Sequence, residues 1–219
     1  MKALDKNFKG RPGIGYGLTE TNALGTMGAG DEYINNPSSA GRVVPPLTEI
    51  KIIDENWQEL PEGKIGEVAI RSQSNMKGYW RNDDATAECI NSEGWFKSGD
   101  LGKFDGPFLY ILDRLKDMVI RGGENIACPE VEGAIYEHPD VLEASVFGIP
   151  DERLGEILCS SICLREGSKL SVESLNEFLS DKLAAFKIPV KIKFTYNPLP
   201  KIASGKFDKP TMRQNFIEE

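Results

Sequence analysis

Five short segments bring together residue types that can do chemistry. Tyr16-Gly17-Leu18-Thr19-Glu20-Thr21 sets a hydroxyl, which can donate and accept, beside a carboxylate, which accepts when ionised. Gly94-Trp95-Phe96-Lys97-Ser98-Gly99-Asp100-Leu101 ends on a carboxylate suited to accepting hydrogen bonds from hydroxyls. Asp113-Arg114-Leu115-Lys116-Asp117 is a run of charge, and Gly122-Gly123-Glu124-Asn125 carries paired glycines. In Pro200-Lys201-Ile202-Ala203-Ser204-Gly205-Lys206 a flexible ammonium follows glycine and can reach phosphate or carboxylate oxygens where negative charge builds. Each segment also has a plainer reading: a strand entering a turn, the end of a turn, a type I′ or II′ hairpin that needs glycine at positive φ, a solvated lysine. Two familiar phosphate motifs are excluded, because no glycine stands five residues before Gly205 and Gly13-Ile14-Gly15-Tyr16-Gly17 is not a dinucleotide fingerprint.

In this order the motifs resemble those of the adenylate-forming enzymes, and within them the acyl-CoA synthetases, from about Gly13 to about Arg213. The resemblance implies the reaction of an acid with ATP and CoA to give acyl-CoA, AMP and pyrophosphate through an acyl-adenylate. It implies that Tyr16 and Gly17 lie in the nucleotide site, Tyr16 against the adenine, that Thr19 bonds the phosphate and that Glu20 holds Mg2+. Asp100 would take both ribose hydroxyls, with Arg114 adding a donor; the fourteen-residue spacing between these two fits the family. Lys206 would neutralise charge at the α-phosphate and carboxylate, while Lys201 and Lys209 are read as solvated. Gly15 and Gly17 would edge the acyl group. Lys116 aligns with a hinge at which the small domain swings after adenylation, and Gly122 and Gly123 would then line the CoA tunnel, where a side chain would obstruct.

Met76-Lys77-Gly78-Tyr79-Trp80 and Gly122-Gly123-Glu124-Asn125-Ile126 look more like a fatty-acid-type synthetase than a peptide-synthetase adenylation domain. The alternatives are such an adenylation domain, a luciferase-like enzyme, or a non-catalytic nucleotide-binding module. Members of the family open with a long region bearing a Ser/Thr/Gly-rich phosphate loop, whereas here fifteen residues precede Tyr16. The expectation is the C-terminal part of a ligase, inactive alone, whose partners are a small-molecule acid, ATP, CoA and the N-terminal part of the same enzyme.

Composition agrees with a folded protein, at 40% apolar and 27% charged residues. A formal net charge of -8 with scattered basic residues argues against a nucleic-acid partner. No apolar run approaches the length of a transmembrane segment, and Met1 to Gly10 lacks a signal-peptide core, so a soluble cytoplasmic protein is expected. The four cysteines form no CxxC pair and His138 is the sole histidine, which removes the usual zinc pattern. Free thiols follow, with Cys159 and Cys163 able to share one face of a strand.

The elements that must position these residues are short strands over Ile50 to Ile53, Ile65 to Arg71 and Phe108 to Leu112, separated by Pro61-Glu62-Gly63 and Asp105-Gly106-Pro107. Val68 and Ile70 alternate against Glu67, Ala69 and Arg71, as in a half-buried strand of a small barrel or sandwich. Further on, Pro129 suits a first helical turn, and Val131, Ala134 and Ile135 form a stripe that must end near Pro139. Val141 to Ile149 and Ile157 to Leu164 suit strands, Ser171 to Lys182 a helix with Leu175, Phe178 and Leu179 inward, and Val190, Ile192 and Phe194 alternate. The fold class is α+β: residues 1–113 as the end of a large adenylating domain with a β-barrel-like subdomain, and residues 114–219 as a small mobile α+β domain.

Overall fold

The computed structural model describes Gly10 and residues 12–217, so the rest of the polar segment Met1 to Gly10 lies outside the described residues. The chain divides into two compact units, one ending at Leu115 and the other beginning at Lys116.

The first unit is built on β1 (Gly13–Tyr16), β2 (Thr26–Ala29), β3 (Arg42–Val43), β4 (Thr48–Ile53), β5 (Gly66–Ser72), β6 (Phe96–Asp105) and β7 (Phe108–Arg114), with short helices α1 (Asp31–Asn35) and α2 (Asp83–Cys89) between them. The strands form one sheet in the order β1-β2-β3-β7-β6-β5-β4. The β-rich character is as the sequence predicts, but among the described residues the sheet is an open path whose end strands β1 and β4 do not pair, and no barrel closes. Strand β6 turns into β7 through Gly106-Pro107, with Asp105 facing Phe108, and the Glu62 carboxylate accepts the Gly106 N–H at 2.7 Å.

Val68, Ile70, Ile52, Leu109 and Ala40 bury one face of this sheet, with Tyr16 and Leu18 packed against them. The opposite face is covered too, which corrects the expected solvent side of β5: Ala69 is fully buried with Ile53 against Trp95 and Trp57. The cations of Lys51 and Arg71 lie 4.3 and 4.7 Å from the Trp95 ring centroid, so charge caps this second core where the alternation pattern shows only polarity. Helix α2 starts where Asn82 caps it, its side chain accepting the Ala85 N–H at 3.1 Å, with Asp83 and Asp84 in the first turn favoured by the helix dipole.

The second unit comprises β8 (Val119–Arg121), β9 (Glu124–Ile126), α3 (Cys128–Tyr136), β10 (Val141–Asp151), β11 (Gly155–Leu164), α4 (Val172–Ser180), β12 (Lys191–Thr195) and α5 (Lys209–Ile217). Its five-stranded sheet is mixed: β10 and β11 form a long antiparallel hairpin, and β12 lies parallel to β11. Helix α3 takes Pro129 in its first turn and stops ahead of Pro139, and α4 begins after Ser171, whose hydroxyl accepts the Ser174 N–H at 3.2 Å. Leu175 and Leu179 are buried on one side of the sheet and Phe178 only partly, while Cys159 and Cys163 do share the other side, with Phe147, Met212 and Phe216. None of the four cysteines is in a disulfide. Val190 departs from the expected alternation, being 51% exposed just ahead of β12 while its N–H donates to Leu158 O at 2.8 Å.

Side chains close the outer edge of β10. Tyr136 on α3 accepts the Ala144 N–H at 3.0 Å, Glu132 accepts the Val146 N–H at 2.9 Å, and Arg213 on α5 donates to Gly148 O at 3.2 Å. Helices therefore satisfy the groups that another strand would otherwise take. No helix among the described residues is long and apolar enough to cross a membrane.

Candidate active site

The first-unit site residues gather where β1, β6 and β7 meet the turn after Tyr16. Asp100 on β6 lies opposite Arg114 on β7 in the strand register. Its Oδ2 accepts the Tyr16 hydroxyl at 2.7 Å and its Oδ1 accepts the Arg114 Nε–H at 3.0 Å. Asp100 is 7% exposed. A carboxylate offers about four lone-pair positions, so these two donors leave Asp100 room for two more. Burial, first, pushes the Tyr16 phenol far above its ordinary value, and the adjacent Asp100 carboxylate adds to this. Tyr16 thus stays protonated at neutral pH and serves as a fixed donor.

The turn that presents Asp100 is held by its motif neighbours together with Glu67, which no motif singles out. Gly99 adopts φ +73, its N–H donates to Glu67 Oε1 at 2.9 Å, and its carbonyl accepts the Leu115 N–H at 2.8 Å. Ser98 accepts the Asp100 N–H at 3.1 Å. Glu67 was legible as a polar strand residue, but nothing local marks it as the acceptor for a turn 32 positions later.

Thr19, Glu20 and Thr21 form a single 3-10 turn. Thr21 is buried and its hydroxyl accepts the Leu18 N–H at 3.0 Å. The chain then reverses through Asn22 and Ala23, both in the left-handed region at φ 51 and 61, an arrangement disfavoured for alanine and sustained by the Ala23 N–H bond to Leu18 O at 2.8 Å. That reversal explains Gly17, since a Cβ there would overlap the Ala23 backbone; at Gly15 it would sit 3.1 Å from Thr26 O. The fold itself therefore asks for glycine at 17, whatever lies on the acyl side. Glu20 Oε1 accepts the Tyr79 hydroxyl at 3.0 Å. Burial, then the hydrogen bond to Glu20, raises the Tyr79 phenol above its ordinary value.

The remaining candidates belong to the second unit. Lys206 sits in a hairpin closed by Ile202 N–H to Lys206 O at 2.9 Å, after Gly205 at φ +83, and is exposed without an ion-pair partner among the described residues. Lys201 is exposed, as expected, yet pairs with Glu143 at 2.6 Å, whereas Lys209 is not the solvated residue expected: its largely covered side chain pairs with Glu132 at 3.1 Å, because β10 and α3 each place a carboxylate within reach. Lys116, the first residue of this unit, is exposed. Gly122 and Gly123 make the two-residue turn between β8 and β9 with φ +60 and +88, the positive values of a type I′ hairpin, and a Cβ at Gly123 would meet open space.

Among the described residues no group of three or more His, Cys, Asp or Glu side chains could hold a metal by itself. A single carboxylate beside a free hydroxyl, as Glu20 and Thr19 provide, suits Mg2+ held mainly by phosphate oxygens and water.

An open sheet carrying a buried, doubly anchored carboxylate and a Thr-Glu turn is thus followed along the chain by an α+β unit with an exposed lysine hairpin. Residues 1–80 match the family model described as AMP-binding enzyme, and residues 130–206 match that of the AMP-binding enzyme C-terminal domain. The chain belongs to the adenylate-forming, AMP-binding enzyme family. It is 37% identical to a mitochondrial medium-chain acyl-CoA ligase of Danio rerio over 92% of the chain and 33% of that protein. It is 36% identical to an oxalate–CoA ligase of Saccharomyces cerevisiae over 98% of the chain and 39% of the relative. The structure of the amide bond synthetase McbA from Marinactinospora thermotolerans superposes with a TM-score of 0.83 at 33% identity, covering 93% of this chain and 42% of that one. The chain thus spans about a third to two fifths of the length of the curated relatives it matches.

Proposed function

We propose that this chain supplies the ribose- and phosphate-facing residues and the C-terminal domain of an ATP-dependent acid–CoA ligase of fatty-acid type. The observation that carries the reading is the Asp100 carboxylate, buried, fixed by Tyr16 and Arg114 on one lone pair of each oxygen, and still able to accept two vicinal hydroxyls. In the first half-reaction an acid carboxylate oxygen attacks the α-phosphorus of ATP, the bond to the bridging oxygen breaks, and pyrophosphate leaves. In the second, the CoA sulfur attacks the acyl carbonyl carbon and AMP leaves with the bonding pair.

Tyr16 and Gly17 flank the adenosine, Asp100 and Arg114 hold the ribose, and Thr19 bonds the α-phosphate. Glu20 ligates the Mg2+ that travels with the triphosphate, where it offsets phosphate charge. Lys206 neutralises charge at the reacting oxygens, so it serves the first step. Lys116 is the hinge between the domains 1–113 and 114–219, Gly122 and Gly123 give CoA its passage, and Gly15 and Gly17 edge the acyl group. The medium-chain relative and the Met76–Trp80 motif support the fatty-acid type. The likeness to an amide bond synthetase favours a second reading, in which the same adenylate meets an amine rather than a thiol.

The chain alone is not expected to turn over, given the share of its relatives that it spans. Purified chain and the whole ligase are each mixed with ATP, Mg2+ and a panel of fatty acids. Acid-dependent pyrophosphate release by the whole ligase alone, with thioester formed on adding CoA, supports the reading. Pyrophosphate release by the chain by itself contradicts the incompleteness, and an amide product without thioester moves the assignment to the second reading.

A further inference from the structure

Glu20 is gripped by a segment more than fifty positions further along the chain. The Tyr79 hydroxyl donates to Glu20 Oε1 at 3.0 Å, and the Met76 N–H donates to the Glu20 carbonyl at 2.7 Å. Two more bonds join the same stretches: Asn22 Nδ2 donates to Ser74 O at 2.6 Å and the Ser74 hydroxyl to Thr21 O at 3.0 Å. Tyr79 is itself fixed from behind. Its N–H donates to Thr86 Oγ1 at 2.9 Å, that hydroxyl donates to Asn82 O at 2.8 Å, and a Cβ at Gly78 would lie 2.8 Å from Thr86 Cγ2. Ser74 to Tyr79 is thus a strap zipped to the Thr19–Asn22 turn at one end and pinned to α2 at the other.

We infer that Tyr79 is a positioning residue for Glu20: its phenol occupies Oε1 and fixes the carboxylate plane, so that Oε2 is the atom turned toward the cation of the bound nucleotide. Among the described residues Oε1 is the only Glu20 carboxylate oxygen with a hydrogen-bond partner. The inference rests on the proposed role of Glu20 as the cation ligand. The ring is 39% exposed, so removing the hydroxyl disturbs no core.

The test is a double-mutant cycle in the whole ligase with Tyr79→Phe, Glu20→Gln and the double variant. One readout is binding of Mn2+·ATP followed by electron paramagnetic resonance; the other is the Mg2+ concentration giving half-maximal acid-dependent pyrophosphate release. Tyr79→Phe is expected to weaken metal–nucleotide binding and raise the Mg2+ requirement about tenfold, the worth of one hydrogen bond to a charged group. It should leave the melting temperature and the KM for the acid unchanged, and it should add nothing in the Glu20→Gln background. Thr86→Val, which keeps the Tyr79 hydroxyl but removes the acceptor of the Tyr79 N–H that helps aim it, is expected to shift both readouts the same way by less. Wild-type values for Tyr79→Phe alongside a shifted Glu20→Gln, or additive losses in the double variant, would overturn the inference. Wild-type values for Glu20→Gln itself would instead remove the role of Glu20 on which it rests.

Discussion

The Glu143 carboxylate on β10 holds the Lys201 ammonium at 2.6 Å and, through its other oxygen, the Leu199 N–H at 2.8 Å. Both donors lie just ahead of the hairpin that carries Lys206, whose arms meet where Lys201 bridges Phe207. One carboxylate thus ties the base of that hairpin to the sheet. Glu143→Ala leaves the Leu199 amide without its acceptor and should cost about 1–3 kcal/mol; urea unfolding of the two proteins measures it.

The same pair sets a pH dependence. The Lys201 ammonium, with the Leu199 amide, holds the Glu143 carboxyl below its ordinary value against the opposing effect of partial burial. A carboxyl depressed in the folded state contributes stability that is fully present above its unfolded value and is lost as pH falls through the folded one. Thermal melts from pH 7 down to below about 4 should show that loss in the wild-type chain and less of it in Glu143→Gln, which cannot titrate there.

Lys206→Ala should leave the melting temperature unchanged, because the side chain is exposed and unpaired among the described residues. In the whole ligase it should slow acyl-adenylate formation by about two to three orders of magnitude while sparing thioester formation from supplied adenylate. Single-turnover rates of the two half-reactions separate these. Equal loss in both would make Lys206 structural.

Two glycines should lose stability to different degrees when replaced by alanine. Gly17→Ala drives a Cβ into the Ala23 backbone, an overlap worth about 1–3 kcal/mol, and should also displace the Thr19–Glu20 turn. Gly123→Ala meets open space and bears only the strain of φ +88, about 1 kcal/mol. Denaturant midpoints should therefore order wild type above Gly123→Ala above Gly17→Ala.

Local patterns made much of the fold legible. Helix α3 ends before Pro139 because proline cannot continue it, Ser171 caps α4, and the spacing of Cys159 and Cys163 puts both on one face of β11. What stayed hidden is long-range. Ala69 reads as a solvent-side residue until Trp95 and Trp57 arrive to cover it, and Lys209 reads as solvated until α3 brings Glu132 alongside. The motifs around Tyr16 and Asp100 were visible as segments, but their direct bond spans 84 positions. Glu67 and Tyr79, which hold the turns bearing Asp100 and Glu20, carry no local sign of that work.

Asp100→Asn replaces two acceptor oxygens by one acceptor and one donor, so Arg114 and an incoming ribose compete for what remains. Affinity of the whole ligase for AMP should fall about tenfold to a hundredfold. Calorimetric titration with AMP checks this, and unchanged affinity would place the ribose elsewhere.

The central claim is tested most directly by a crystal structure of the whole ligase with a non-hydrolysable acyl-adenylate analogue, an acyl-sulfamoyl adenosine. The account predicts both ribose hydroxyls within hydrogen-bond distance of the Asp100 carboxylate, the Tyr16 and Arg114 bonds to it retained, and the sulfamoyl group beside the Thr19 hydroxyl. A nucleoside bound with its ribose away from Asp100, or Asp100 still contacting Tyr16 and Arg114 alone, would contradict it.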